Sequence, residues 1–398
     1  MIVNNRIGIG TSLAPDVKIT LDRSTNEKNN ASPAEHTEFK LHDRLVKLSI
    51  TDNAGTQADQ LTLTLDDSDG RLLLPERGQK LIVSIGWKNQ PLTLMGSYCV
   101  DTVKYSGYPT ILDITAHSVD FRGSFTTPIE ASYHDTTLGD IARTIAERNN
   151  LFYSIDESLS KISIISEHQS RESDVVFISR LAKKHSGTAT VKKDTLILFI
   201  EGKGISSHGD TPTPYSLERS DGDKFEFELA DRPLASAVVA NWHSTSDAKT
   251  HNVKISRKYA AEPRTETVHP AAKTPENNAS TDQPNYTAGN KNNQQALQQT
   301  YASQQEAMQA ALSRWREIQR QGVKLSVDLA KGVTTLKPGG LVRVKGFKNI
   351  IDEKLWSIKT VVHNLNAKGF LTSLTLEIAT QEVEYTISYD VNLKPVKK

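Results

Sequence analysis

Asp66-Asp-Ser-Asp-Gly70 is spaced like the opening of a calcium loop, where a hard cation gathers carboxylate oxygens. Counting ligands from Asp67, the fifth position is Arg71 and the twelfth is Gly78, so the acidic closure is missing and a hairpin turn is the expected structure. His117-Ser-Val-Asp120 carries the residue types of a nucleophilic triad, but no nucleophile elbow accompanies it, and consecutive strand residues point to opposite faces. Glu226 with Glu228, and Glu382 with Glu384, form carboxylate pairs on one strand face; such pairs more readily face water than flank a glycosidic bond. His36, His42, His117, His134, His168, His185, His243, His251, His269 and His363 are scattered without a His-Glu-x-x-His helix, and His208 stands in a Gly/Ser/Pro loop. Each is expected at the surface or in a local hydrogen bond. Gly8-x-Gly10 lacks the third glycine of a dinucleotide fingerprint, and no Gly-x-x-x-x-Gly-Lys-[Ser/Thr] occurs. These residues predict no catalytic, cofactor-binding or metal site, and hence a chain that is not an enzyme.

Composition narrows the classes further. The 398 residues carry 48 Lys+Arg against 47 Asp+Glu, a net charge of +1, which removes the electrostatic case for a dedicated nucleic-acid or anionic-membrane binder. Cys99 is the single cysteine, so a disulfide scaffold and a cysteine-based zinc site are excluded. The longest apolar run, Leu196-Ile-Leu-Phe-Ile200, is far short of the ~20 residues of a membrane span. The first residues lack a basic start followed by an apolar core, so no signal peptide is expected. A soluble, intracellularly made protein of two or three domains is the expectation.

The elements that would hold these residues are mostly short strands. After a polar arm (1–36), the stretch 37–120 alternates apolar and polar residues at Leu45 to Asp52, Gln60 to Leu65, Lys80 to Gly86, Gly96 to Tyr105 and Ile111 to His117, with turn residues between. That rhythm predicts an antiparallel barrel or sandwich. From 121 to 205 the pattern becomes α/β: Thr136 or Thr137 caps a helix with Leu138, Ile141 and Ile145 on one face. Ser173 caps a second, with Val176, Phe177, Ile178, Leu181 and Ala182 apolar. Residues 206–260 and 322–385 predict a second β-barrel. It is interrupted at 261–321 by a polar segment, whose 262–295 portion is expected to be mobile alone, and by an amphipathic helix from Leu297 to Gln321. Residues 386–398 are read as a tail. The fold class expected is mainly β with α+β: two antiparallel barrels, an inserted α/β domain and one long amphipathic helix.

Two internal similarities stand out. Lys80-Leu-Ile-Val-Ser-Ile-Gly-Trp87 can be laid on Gly340-Leu-Val-Arg-Val-Lys-Gly-Phe347, Tyr98 to Lys104 on Trp356 to Val362, and Leu112 to Ala116 on Leu374 to Ala379 with small shifts. Either two β-domains share composition or one barrel is duplicated. Separately, Tyr133 to Asn150 looks like the start of a LysM peptidoglycan-binding module, although the second helix such modules use does not follow at short spacing. A core helix of the α/β domain accounts for the same residues.

Longer stretches resemble the late control protein D family of contractile-tailed phages, the baseplate hub proteins. The residues that carry this are Ser49 to Asp59, Leu63 to Asp67, Leu74-Pro75 with Gly78, Val83 to Trp87 and Gly96 to Asp101. They continue in order through Leu112 to His117, Asp120 to Ser124, Thr137 to Ile141 and Glu172 to Phe177, ending at Arg180-Leu-Ala182. The resemblance implies a fold like the T-even phage hub and the hub-like part of type VI secretion spike proteins, and it favours the duplicated barrel. It further implies a structural homotrimer in the virion tail, assembled in the host bacterial cytoplasm. That trimer would join the six-fold tail tube to the three-fold spike and touch other baseplate proteins and the tape measure. No cofactor, specific nucleic acid or membrane span is implied. In a ring of this kind the expected subunit contacts lie near Leu41, Leu45, Leu48, Leu341, Val342 and Val344. A cell-wall-binding or cell-wall-degrading tail protein built on Tyr133 to Asn150 is the alternative.

Overall fold

Alternating apolar residues place one face of each strand in a core, and in the computed structural model this alternation organises most of the chain. The structure describes residues 14–22, 37–38, 44–54, 58–118, 124–192, 195–200, 213–229, 235–244, 248–256, 293–367, 369–379 and 386–389. Leu41, Asp120, Glu382, Glu384 and residues 262–292 of the polar segment lie outside them, whereas its last residues, 293–295, are described. Among the described residues no helix is long and apolar enough to cross a membrane.

Seven strands come first: β1 (Pro15–Asp22), β2 (Thr37–Glu38), β3 (Leu45–Asn53), β4 (Gln60–Asp66), β5 (Lys80–Trp87), β6 (Thr93–Ser106) and β7 (Ile111–His117). An α/β module follows: β8 (Pro128–Thr137), α1 (Leu138–Arg148), β9 (Phe152–Ile155), α2 (Glu157–Ser160), β10 (Ser163–Ser173), α3 (Asp174–Lys184), β11 (Thr188–Lys192) and β12 (Thr195–Phe199). Next come β13 (Tyr215–Glu218) and β14 (Gly222–Leu229), then β15 (Ala237–Ser244), β16 (Lys249–Ser256), β17 (Gln294–Tyr301) and α4 (Gln304–Gln321). The chain continues with β18 (Val323–Leu329), β19 (Leu341–Lys345), α5 (Asn349–Asp352), β20 (Leu355–Asn366), β21 (Gly369–Ile378) and β22 (Thr386–Tyr389).

The chain divides into two units, one of Met1–Glu228 with Lys324–Glu382 and the other of Leu229–Val323 with Val383–Lys398. In the first, a thirteen-stranded sheet runs β14-β18-β21-β20-β3-β4-β7-β6-β5-β1-β2, with β19 pairing β20 and β13 pairing β19. Leu48, Ile50, Leu61, Leu65, Val83, Ile85 and Leu112 are fully enclosed on its inner face; truncating one such leucine to alanine costs about 2–5 kcal/mol. The α/β module has its own core, in which Leu138, Ile141 and Ile145 of α1 meet Phe177, Ile178 and Leu181 of α3. Thr137 caps α1, its hydroxyl accepting from the Asp140 N–H at 3.1 Å. In the second unit the order is β17-β15-β16-β22, and α4 lays Ala307, Ala311, Trp315 and Ile318 against Val238, Ala240, Val253 and Ile255.

Several expected boundaries move. Pro15–Asp22, expected in an arm, pairs along β5 from Pro15↔Trp87 to Asp22↔Lys80. The strands β15 and β16, assigned to the second barrel, instead form the unit that holds α4, because their apolar face is covered by that helix. Within the expected tail, Thr386–Tyr389 pairs with β16. The helix expected from Leu297 starts at Gln304: Ser303 caps it, its hydroxyl accepting from the Glu306 N–H, and the residues before it extend as β17 beside β15. Leu297 and Tyr301 still pack on the same core, so helical spacing and strand alternation both satisfied the pattern. Val176, expected on the apolar face of α3, is exposed.

Candidate assembly interface

The internal repeat appears in the structure as a repeated hydrogen-bond pattern. The order β1-β5-β6-β7-β4-β3 matches β13-β19-β20-β21-β18-β14, although β1 runs antiparallel to β5 and β13 parallel to β19. In the first copy the Gly78 N–H donates to the Val100 carbonyl at 2.8 Å and the Val100 N–H returns to the Gln79 carbonyl at 2.9 Å. In the second, the Gly339 N–H donates to the Ile358 carbonyl at 2.7 Å and the Ile358 N–H returns to Gly340 at 2.9 Å. Gly78 and Gly339 hold φ of 88° and 80°, a left-handed turn that glycine adopts without a Cβ penalty. Each copy has a one-residue irregularity directly after this point, between Val100 and Thr102 and between Ile358 and Thr360. The other end agrees: Asp66 N–H donates to the Arg44 carbonyl, and Ala330 N–H to that of Asp221. These bonds align Val100 with Ile358, as the sequence comparison did, but Lys80 with Leu341 and Leu112 with Thr372. The sequence alignment was off by one residue at the first of these and by two at the second. Burial agrees, since Leu81 and Val83 are enclosed like Val342 and Val344.

The two copies meet edge to edge inside the chain. The first three residues of β20 pair with β19, and Thr360 to Asn366 pair antiparallel with β3, from Thr360↔Asn53 to Asn366↔Lys47. Ser49 donates to Asn364 at 2.9 Å, and the Trp87 ring N–H donates to the Gly332 carbonyl at 3.2 Å. Trp87 and Phe370 lie 5.3 Å apart between ring centres, with Lys331 over the indole.

Of the residues expected at subunit contacts, Leu41 is outside the described residues. Leu45 packs on the core edge, and Leu48, Leu341, Val342 and Val344 are buried within their own chain. Their side chains stabilise the copies, and the edges of both strands are paired within the chain, β3 between β4 and β20 and β19 between β13 and β20.

The charged clusters serve structure. Lys192, at the end of β11, is buried where the α/β module meets the sheet. Its ammonium donates to the Asp52 carboxylate, to the Asn53 carbonyl at 2.7 Å and to Asp59 at 3.1 Å. Burial, then the neighbouring Asp52 charge, pushes the Asp59 carboxyl up to about 7, against the pull of Lys192. Burial alone would lower the Lys192 pKa, but Asp52 and Asp59 outweigh it and raise it, so the lysine stays charged. Buried Asp174 accepts from Arg148 at 3.1 Å, Asn149 at 2.7 Å and Gln169 at 3.0 Å, while Tyr133 stacks on Phe177. The LysM-like stretch thus commits both its apolar face and its polar end to the module's interior. In the Asp66–Gly70 turn, Asp67 accepts from the Leu72 N–H, and Arg44 holds Asp69 down to about 2 by a side-chain hydrogen bond. Among the described residues no group of three or more His, Cys, Asp or Glu could hold a metal ion.

The described residues thus form a β-scaffold with a repeated strand order, and their ionisable clusters tie its elements together. Comparison with known proteins specifies its family. The phage tail baseplate hub (GPD) family matches residues 116–369. The probable baseplate hub protein of Escherichia phage 186 is 39% identical over 98% of this chain and 100% of its own length. That of Escherichia phage P2 is 39% identical over 96% and 97%. Among solved structures, a tail protein from Neisseria meningitidis MC58 shares the fold at a TM-score of 0.60 and 12% identity, covering 93% of this chain and 99% of that one. The chain belongs to the phage tail baseplate hub family and is a structural component of the virion tail.

Proposed function

We propose that this hub is a non-enzymatic homotrimeric adaptor that joins the six-fold tail tube to the three-fold spike, assembled in the host cytoplasm with other baseplate proteins. The observation that carries the reading is the repeated hydrogen-bond pattern: each chain holds two copies of one strand order, joined through β3 and β20. Three chains therefore offer six similar surfaces to a six-fold partner while keeping a three-fold axis for the spike. Closed cyclic association of this kind is heterologous, one surface meeting a different one on the neighbour. A net charge of +1 places little electrostatic resistance on packing copies together.

Mass measurement of the hub co-purified with the spike of the same tail tests this. Three hub chains per spike trimer is the expected composition; a hexamer, or a monomer indifferent to the spike, overturns it. Retention on purified peptidoglycan would favour the cell-wall reading instead.

A further inference from the structure

The joint inside the chain has a counterpart that the chain leaves open. In the second copy β20 pairs with β19 over its first residues and with β3 beyond Lys359. The corresponding strand of the first copy, β6, pairs with β5 only as far as Lys80↔Cys99. From Thr102 to Ser106 it has β7 on one side and, among the described residues, no strand on the other. The strand corresponding to β3 is β14, which among the described residues ends the sheet next to β18. Exposure follows this difference. Val361 and His363 are fully enclosed at the joint, whereas their counterparts Val103 and Tyr105 are half-buried and 53% exposed. On β14, Phe225 is 45% exposed.

We infer that the outer half of β6 and the free edge of β14 are the two sides of one antiparallel joint between neighbouring copies of this chain, repeating between chains the β20–β3 joint within each. The inference rests on the ring proposed above and assigns its contact surfaces. The matched turn bonds align Asp221 with Arg44. Phe225 lies edge-on to Phe347 and Phe227 edge-on to Trp356, so both face the side occupied by Leu48 and Ile50 in the first copy. A slip of one residue would turn both rings to the opposite face. Carrying the pairs His363↔Ile50, Val362↔Thr51 and Asn364↔Ser49 across the repeat sets Tyr105 opposite Phe227, Lys104 opposite Glu228 and Ser106 opposite Glu226. The ring thus gains an aromatic pair on one face and a Lys–Glu pair on the other, both favourable cross-strand combinations. Pairing β14 with β14 would bring Glu226 and Glu228 of two chains together, which disfavours the symmetric dimer.

Cysteine pairing tests the joint. Opposed residues of antiparallel strands have Cα atoms about 4.5–5.5 Å apart, within the roughly 4.4–6.8 Å a disulfide spans. In a Cys99→Ser background, the full chain carrying Lys104→Cys and Glu228→Cys, co-expressed with the spike and mildly oxidised, should run as covalent trimers on a non-reducing gel. Neither single variant should cross-link. Lys104→Glu alone should weaken the assembly measured by sedimentation, and Lys104→Glu with Glu228→Lys should restore it. A trimer by mass that forms no 104–228 bond, or single-variant dimers, overturns the joint and leaves the ring standing. A chain that stays monomeric with the spike present overturns both.

Discussion

Replacing Lys192 with methionine keeps most of the apolar stem and removes the ammonium that bonds Asp52, Asp59 and the Asn53 carbonyl. Breaking a buried pair by deleting one partner costs about 3–5 kcal/mol, because the remaining charge stays buried without compensation. Here two carboxylates remain, so the upper part of that range is expected at pH 8. The sign of the pH dependence follows from Asp59. Its folded-state pKa is already raised to about 7 and rises further when Lys192 is lost, so the folded variant takes up a proton more readily than the unfolded chain. The deficit relative to wild type should therefore be largest at pH 8 and shrink towards pH 5. Urea unfolding read by hydrogen exchange in β3, β4 and β11 measures this at the joint itself and is insensitive to the second unit. A deficit below about 1 kcal/mol at pH 8, or one that grows as pH falls, would refute the argument that this lysine neutralises a buried acidic pair.

Asp59→Asn removes the titration while keeping an acceptor for the Asn53 N–H; the loss of stability that this group causes as pH rises from about 4 to 7 should vanish, visible as a flatter stability–pH curve by urea titration. His363, held down to about 4 by burial, contributes the opposite slope: its stabilisation is present above the ordinary histidine range and is lost as pH falls towards 4, and His363→Gln should abolish that part of acid unfolding. Gly332→Ala places a Cβ 2.4 Å from the Phe370 ring and should cost about 1–3 kcal/mol by overpacking, measured by chemical denaturation. On peptidoglycan gels the pure protein should give no lytic band; a band lost on mutating a single carboxylate would reverse the non-enzymatic reading.

The β-rich thirds, the two helices of the α/β module and the duplication were legible because alternation and caps are local signals. The residue-level match between copies was not. The second copy places a His363–Thr372 pair, 2.9 Å between Nδ1 and Oγ1, where the first has Tyr105 and Leu112, so a polar pair inside the core hid the true register from any comparison of apolar residues. The division of 229–323 from the main sheet was equally hidden, since strand alternation does not say which sheet a strand joins. Leu48, Leu341, Val342 and Val344 have the composition of an interface, but their side chains fill their own core. Phe225, Phe227 and Tyr105 were visible only as ordinary strand residues, because an open edge is a property of pairing, not of composition.

The covalent continuity of the β3–β20 joint bears on how the ring forms in solution. Six separate copies would assemble with the sixth power of their concentration. Fusing them in pairs makes half the joints intramolecular, at an effective concentration fixed by the chain rather than by expression level. In the proposed ring, closure then depends on the third power, and dilution disrupts only alternate joints. The proposed ring could thus be completed while the protein is scarce.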